Sequence, residues 1–143
     1  MEQAVRTLFA RYAAFFARAL AGDFDKDEMA ALYTPEFIAA SPLGVKTGKN
    51  DAQLRQAMAQ GYAHHRAIGT REMRLGEIRL SAIDDCHCVA HVGWTATYAR
   101  DDLPETAIGF DVHYLVQVLA GEAEVFGWVT GDEEALMRQH GVM

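Results

Sequence analysis

Two neighbouring stretches decide the fold: Cys86-His87-Cys88-Val89-Ala90-His91-Val92-Gly93-Trp94-Thr95-Ala96-Thr97-Tyr98-Ala99-Arg100 and Thr106-Ala107-Ile108-Gly109-Phe110-Asp111-Val112-His113-Tyr114-Leu115-Val116-Gln117-Val118-Leu119. In both, the even positions are apolar or aromatic: Cys88, Ala90, Val92, Trp94, Ala96 and Tyr98, then Ile108, Phe110, Val112, Tyr114, Val116 and Val118. The odd positions mix histidine, threonine and glycine with a few aliphatics. A period of two sustained this long predicts strands, each with one face that must be covered.

The pattern extends on both sides. Upstream, Met73 and Leu75 are odd while Ile78 and Leu80 are even, so the register flips at Gly76-Glu77, the mark of a β-bulge that bends a long strand. Downstream, Glu122 to Thr130 reads as a further strand in which Phe126 and Trp128 continue the even parity. Asp84-Asp85, Asp101 to Pro104 and Ala120-Gly121 are short enough for hairpin turns, giving an antiparallel meander.

The N-terminal part has a different period. Val5, Leu8, Phe9, Tyr12, Phe15, Phe16, Ala19 and Leu20 recur every three or four residues, predicting a long amphipathic helix that Gly22 terminates. Asp25 to Tyr33 reads as a second helix capped by Asp25, with Pro35 keeping Thr34 out of helical geometry. Glu36 to Ala40 reads as one short strand before the turn Ser41-Pro42-Leu43-Gly44. Asn50 or Asp51 then opens a third helix to about Arg66, with Leu54, Met58, Tyr62 and His65 on one side. Asp132 caps a last helix, Glu133 and Glu134 suit its positive end, and Gly141 closes it. The fold class expected is α+β, with three helices and then a final short one gathered on one face of a curved, mainly antiparallel sheet.

Composition narrows the function. The chain has 143 residues, half of them hydrophobic, which suits one domain spanning 1–143 with a substantial core. Thirteen Lys and Arg against twenty Asp and Glu leave a net charge of −7, the wrong sign for a nucleic-acid grip. The start Met1-Glu2-Gln3-Ala4-Val5-Arg6 has no basic region leading into an apolar run, so no signal peptide is expected, and no stretch is long and apolar enough to act on a membrane as a span. Cys86 and Cys88 would point the same way about 6–7 Å apart along a strand, poor geometry for a disulfide. A reducing cytoplasm is the expected compartment.

With these elements in order, the chain resembles the NTF2-like cone fold, particularly its SnoaL-like members. The resemblance covers essentially the whole chain. It is carried by Ala21-Gly22-Asp23, Ala30-Ala31-Leu32-Tyr33, the Ser41-Pro42-Leu43-Gly44 turn, Thr47-Gly48, Val112-His113-Tyr114-Leu115-Val116 and Phe126-Gly127-Trp128. These mark the fold; none is a catalytic signature. The family includes isomerases, dehydratases, cyclases, ligand binders and association modules, so fold alone does not give function.

In the resembling fold the concave side of the sheet lines a pocket. The lining expected here is Tyr12, Phe16, Tyr33, Tyr62, Trp94, Phe110, Tyr114 and Trp128, an aromatic wall suited to a small apolar or aromatic molecule. His65 is the one imidazole expected to face inward and hence the candidate general base, with tyrosine hydroxyls as donors to an enolate oxygen. The odd face, with His87, Val89, His91, Gly93, Val125, Gly127 and Val129, is too apolar for full solvation. The resembling family often dimerises through that face, and a homodimer is expected. Two registers keep both apolar sets together: one sets His91 opposite His113 and Gly93 opposite Asp111, the other Gly93 opposite His113 and Thr95 opposite Asp111. Either places His91, Asp111 and His113 in one small area, read as part of the dimer interface because parity puts them outside the pocket.

Stricter chemistry fails on inspection. The resemblance maps the proton-shuttling Asp of ketosteroid isomerase-like members onto Ser41, their donor Tyr onto Phe15 and their donor Asp onto Val112. None of the three roles is filled, so that mechanism is rejected. Cys86, His87, Cys88 and His91 point to opposite faces of one strand and cannot converge on zinc. No metal and no cofactor are expected. The leading reading is a ligand-binding domain. Its rivals are a cofactor-free lyase, isomerase or cyclase using His65, and a protein-association module.

Overall fold

The computed structural model describes residues 1–143. Its elements are α1 (Glu2–Leu20), α2 (Lys26–Ala30), β1 (Tyr33–Ser41), β2 (Gly44–Lys49), α3 (Ala52–Ala67), β3 (Thr70–Ala82), β4 (His87–Arg100), β5 (Leu103–Leu119), β6 (Glu122–Thr130) and α4 (Glu133–Gln139). The strands form one mixed sheet in the order β2-β1-β6-β5-β4-β3. Only β1 and β6 run parallel; the other neighbours are antiparallel.

Helix α1 lies across β3, β5 and β6 and against α3. Its buried residues Val5, Leu8, Phe9, Phe15 and Ala19 follow the three-and-four spacing of the sequence. Gly22, at φ +96°, ends it: Asp23 N–H donates to the Arg18 carbonyl at 2.9 Å and Gly22 N–H to that of Ala19 at 3.1 Å. Helix α2 is shorter than the sequence pattern implied. Asp25 caps it by accepting from the backbone N–H groups of Asp27 and Glu28, but it stops at Ala30. Tyr33 already pairs with β6 opposite Val125, because sheet hydrogen bonding outweighs the local helical pattern. The single short strand expected here is a hairpin. Its second arm, β2, is an almost wholly exposed edge whose Lys46 and Lys49 discourage further pairing.

The meander follows its parity. Residues 88, 90, 92, 94, 96 and 98 are all buried, and β5 pairs with β4 in the register that sets His91 opposite His113 and Gly93 opposite Asp111. The bulge at Gly76-Glu77 lies between the Leu75–Trp94 and Ile78–Val92 pairs. A second bulge was not anticipated. Between Leu115–Gly127 and Val116–Val125 the register of β6 shifts by one residue. Val125 consequently turns inward and is fully buried, whereas Phe126 faces outward, its ring edge-on to His87 at 5.9 Å between centroids. The expected parity of Phe126 and of Val125 is thus reversed, while Trp128 stays on the concave side.

The C-terminal segment closes one end of the sheet. Val142 is buried with Ala96, Tyr98 and Ile108. Arg100 holds it there, donating through Nη1 to the carbonyls of Val142 at 2.9 Å and Ile68 at 2.8 Å. This docks α4 over the concave face.

Candidate functional site

The concave side of the sheet and the helices above it enclose a cavity of about 410 Å³, within the usual range for small-molecule sites. Helix α1 supplies Tyr12 and Phe16, β1 supplies Tyr33, and α3 supplies Met58 and His65. Strands β4, β5 and β6 contribute Trp94, Phe110, Tyr114 and Trp128 among others. Of the lining expected from sequence, only Tyr62 is misplaced. Its ring packs against Phe15, Phe16 and Phe24, at centroid distances of 5.7, 4.8 and 5.9 Å, so it joins α1 to α3.

Tyr12 sits at the centre of the aromatic wall, with Trp94, Tyr114 and Tyr33 at centroid distances of 5.8, 5.7 and 6.2 Å. Trp128 stacks on Phe37 at 5.1 Å and meets Tyr33 edge-on. Polar atoms on this wall are tied together. The Tyr33 hydroxyl donates to the Tyr12 hydroxyl at 2.9 Å, and Trp94 Nε1–H donates to the Tyr114 hydroxyl at 3.1 Å. Burial raises the pKa of Tyr12, Tyr33 and Tyr114, so all three remain protonated donors at neutral pH.

His65 lines the cavity as expected, and its Nδ1 is buried with no hydrogen-bond partner. Burial, with a smaller contribution from His64, lowers its pKa and keeps the ring neutral at neutral pH. The imidazole is therefore a neutral ring at the cavity wall, with its Nδ1 buried against protein rather than open to the cavity.

Sequence reasoning missed the floor contributed by α4: Glu133, Leu136 and Met137 all line the cavity. The sequence signalled an acidic first turn, which satisfies the helix dipole equally well with Glu133 or Glu134 facing inward. Only the docking of α4 selects Glu133. Burial raises the pKa of its carboxyl.

None of the positions mapped onto isomerase acids or phenols can perform those roles. Phe15 is buried in the core, Ser41 lies at the β1–β2 turn accepting from Leu43 N–H, and Val112 lines the cavity as an alkyl group.

On the opposite face, His91 and His113 approach through their Nδ1 atoms at 2.7 Å, and Ser81 Oγ lies 2.8 Å from His91 Nε2. Asp111 is adjacent in register but exposed, opposite Gly93, and bonds to neither histidine. The carboxylate–imidazole contact considered from sequence does not form; the histidines bond to each other instead. A separate network joins Gln117 Nε2 to His87 Nε2 at 3.1 Å and His87 Nδ1 to Asp84 Oδ1 at 2.8 Å. Cys86 and Cys88 are free thiols, and no three His, Cys, Asp or Glu side chains converge as a metal site.

A family model described as NTF2-like protein (DUF6841) matches residues 2–133. Among solved structures, an NTF-2 like protein of unknown function from Shewanella oneidensis is similar at TM-score 0.66 and 13% identity, over 92% of this chain and 98% of that one. A putative scytalone dehydratase from Novosphingobium aromaticivorans is similar at TM-score 0.64 and 13% identity, over 90% and 80%. A ketosteroid isomerase-like protein from Erwinia carotovora atroseptica gives 0.61 and 16%, over 90% and 93%. At these identities the likeness is one of fold. No functionally curated protein matches the chain.

Proposed function

The chain belongs to the NTF2-like family, and on that premise we propose that it is a binding protein for a small, flat, largely apolar molecule. The observation that carries this reading is the cavity itself: about 410 Å³, walled by Tyr12, Trp94, Phe110, Tyr114 and Trp128, with few polar groups. Aromatic rings offer broad contact with little side-chain entropy to lose. Tyr12 and Tyr114 supply hydroxyl protons for one oxygen of the ligand. Titration with 2-naphthol, followed by calorimetry and by quenching of tryptophan fluorescence, tests the reading. Saturable one-to-one binding that weakens at least tenfold in Trp94→Ala is expected; no saturable binding overturns it.

A second reading, a cofactor-free lyase, isomerase or cyclase, is favoured by His65, the one imidazole on the cavity wall, which burial keeps neutral. Neutral His65 would take a proton from a carbon beside a carbonyl while a tyrosine hydroxyl donates to the enolate oxygen. The proton then returns to another carbon, in an isomerase, or leaves with a departing hydroxyl, in a lyase. For this reading His65→Ala abolishes turnover of an enolisable ligand and leaves its binding intact.

The molecule acts as a homodimer through the outer sheet face, where His91, Asp111 and His113 lie beside Gly93. A cytoplasmic location accords with the two free cysteines; no helix is long and apolar enough to cross a membrane.

A further inference from the structure

Glu133 is the one carboxylate on the cavity wall, and no lysine or arginine stands there with it. Its neighbour Glu134 turns to solvent and pairs with Arg138 at 3.1 Å. Glu133 has no such partner, and burial is the sole influence that shifts its carboxyl. It lies near enough to Tyr12, Tyr98 and Tyr114 for its charge to push all three hydroxyls further towards their protonated forms. An acidic residue in the first turn is explained by the helix dipole. An unpaired one turned into an apolar chamber is not, because its desolvation is unfavourable unless something positive or proton-donating meets it.

The rest of the wall sets no positive charge against it. The faces of Tyr12, Trp94 and Trp128 carry the negative part of the aromatic quadrupole, which attracts cations. His65 is held neutral by burial and adds no positive charge. A ligand carboxylate or phosphate would meet the Glu133 carboxylate with no cation to offset it, only neutral donors such as the tyrosine hydroxyls. An ammonium group would meet the Glu133 carboxylate, the one charge on the wall, with aromatic rings beside it.

We propose that the cavity selects a small aromatic amine or alicyclic amine, bound as its ammonium ion, with the charge against Glu133 and the ring among Tyr12, Trp94 and Trp128. This rests on the ligand-binding reading above and narrows its chemistry.

Three probes of nearly equal shape test it by calorimetry on the full chain near neutral pH: 1-naphthylmethylamine, 1-naphthalenemethanol and 1-naphthoate. The amine is expected to bind roughly tenfold tighter than the alcohol, the increment of a partly desolvated ion pair with cation–π contact, and the naphthoate weakest. Glu133→Gln brings the amine-to-alcohol affinity ratio to about one; Glu134→Gln leaves that ratio as in the wild type. Glu133→Leu serves as a second variant, and both Glu133 variants are expected to melt at or above the wild-type temperature, since each removes an unpaired half-buried charge. Naphthoate binding as tightly as the amine, a preference for the amine that survives Glu133→Gln, or unfolding of both Glu133 variants overturns the proposal. Alcohol binding without amine preference refutes this inference alone; failure of all three probes refutes the ligand-binding reading with it.

Discussion

The Tyr33 hydroxyl donates to the Tyr12 hydroxyl at 2.9 Å, joining the first strand to the first helix on the wall of the cavity. The contact gives that wall a fixed polar edge and commits the Tyr33 proton, leaving the Tyr12 proton uncommitted. Tyr33→Phe takes one donor from the buried Tyr12 oxygen, which keeps the Tyr114 hydroxyl beside it. The expected loss is about 1–2 kcal/mol in urea unfolding, with the aromatic wall otherwise preserved. An unchanged unfolding free energy would show that the bond contributes nothing in solution.

His65 makes stability depend on pH. Its folded pKa is lowered, so the unfolded chain binds the proton more readily and protonation favours unfolding. Stability is therefore full above the ordinary histidine pKa of about 6.5 and declines as pH falls through it. His91, lowered by burial and then by Arg79 and His113, acts in the same direction. Chemical denaturation between mildly alkaline and mildly acidic pH is expected to show this decline, and His65→Gln to flatten it. Equal slopes in wild type and variant would remove His65 as a source.

The sheet junction is sterically tight at Gly127. A Cβ there would lie 2.8 Å from the Ile38 carbonyl oxygen and 3.0 Å from Leu115 Cδ1. Gly127→Ala forces β1 and β6 apart at their parallel pairing and is expected to destabilise by roughly 1–3 kcal/mol. Gly131→Ala, where a Cβ meets nothing within 4 Å, serves as the control. Similar melting temperatures for the two variants would contradict this account of the junction.

The outer face carries the dimer proposal. Leu115 is half-buried there beside the His91–His113 pair, close to Gly127. Sedimentation at micromolar concentration is expected to give a dimer, and Leu115→Asp to give a folded monomer. A wild-type monomer under those conditions removes the proposal.

Much of the architecture was legible in the chain because two periods are strong in it. The even stripe from Cys88 to Tyr98 fixed the concave face, and keeping both stripes together left two registers for β4 and β5, one of which forms. The flip at Gly76-Glu77 announced its bulge, since Leu75 and Ile78 are both apolar and of opposite parity. The bulge in β6 gave no such sign: Val125, Phe126 and Trp128 are all apolar, and burying either Val125 or Phe126 fits the pattern. Strand β2 was invisible because its exposed edge has no face to alternate. In the site, the wall from Tyr12 to Trp128 followed from parity and helical spacing. Tyr62 shares the side of α3 that carries His65, but its ring is taken up in packing with Phe15, Phe16 and Phe24 and is not part of the lining. Glu133 depended on how α4 docks, which the pairing of Arg100 with the Val142 carbonyl sets from afar.

The most direct test of the central claim is a crystal structure of the protein soaked with 1-naphthalenemethanol. The predicted result is ligand density inside the cavity, the rings against Tyr12 and Trp94 beneath Phe110 and the alcohol oxygen within hydrogen-bond reach of the Tyr12 or Tyr114 hydroxyl. A cavity closed by the rings of Tyr12, Phe110 and Trp128, with density absent or confined to the outer surface, would contradict it.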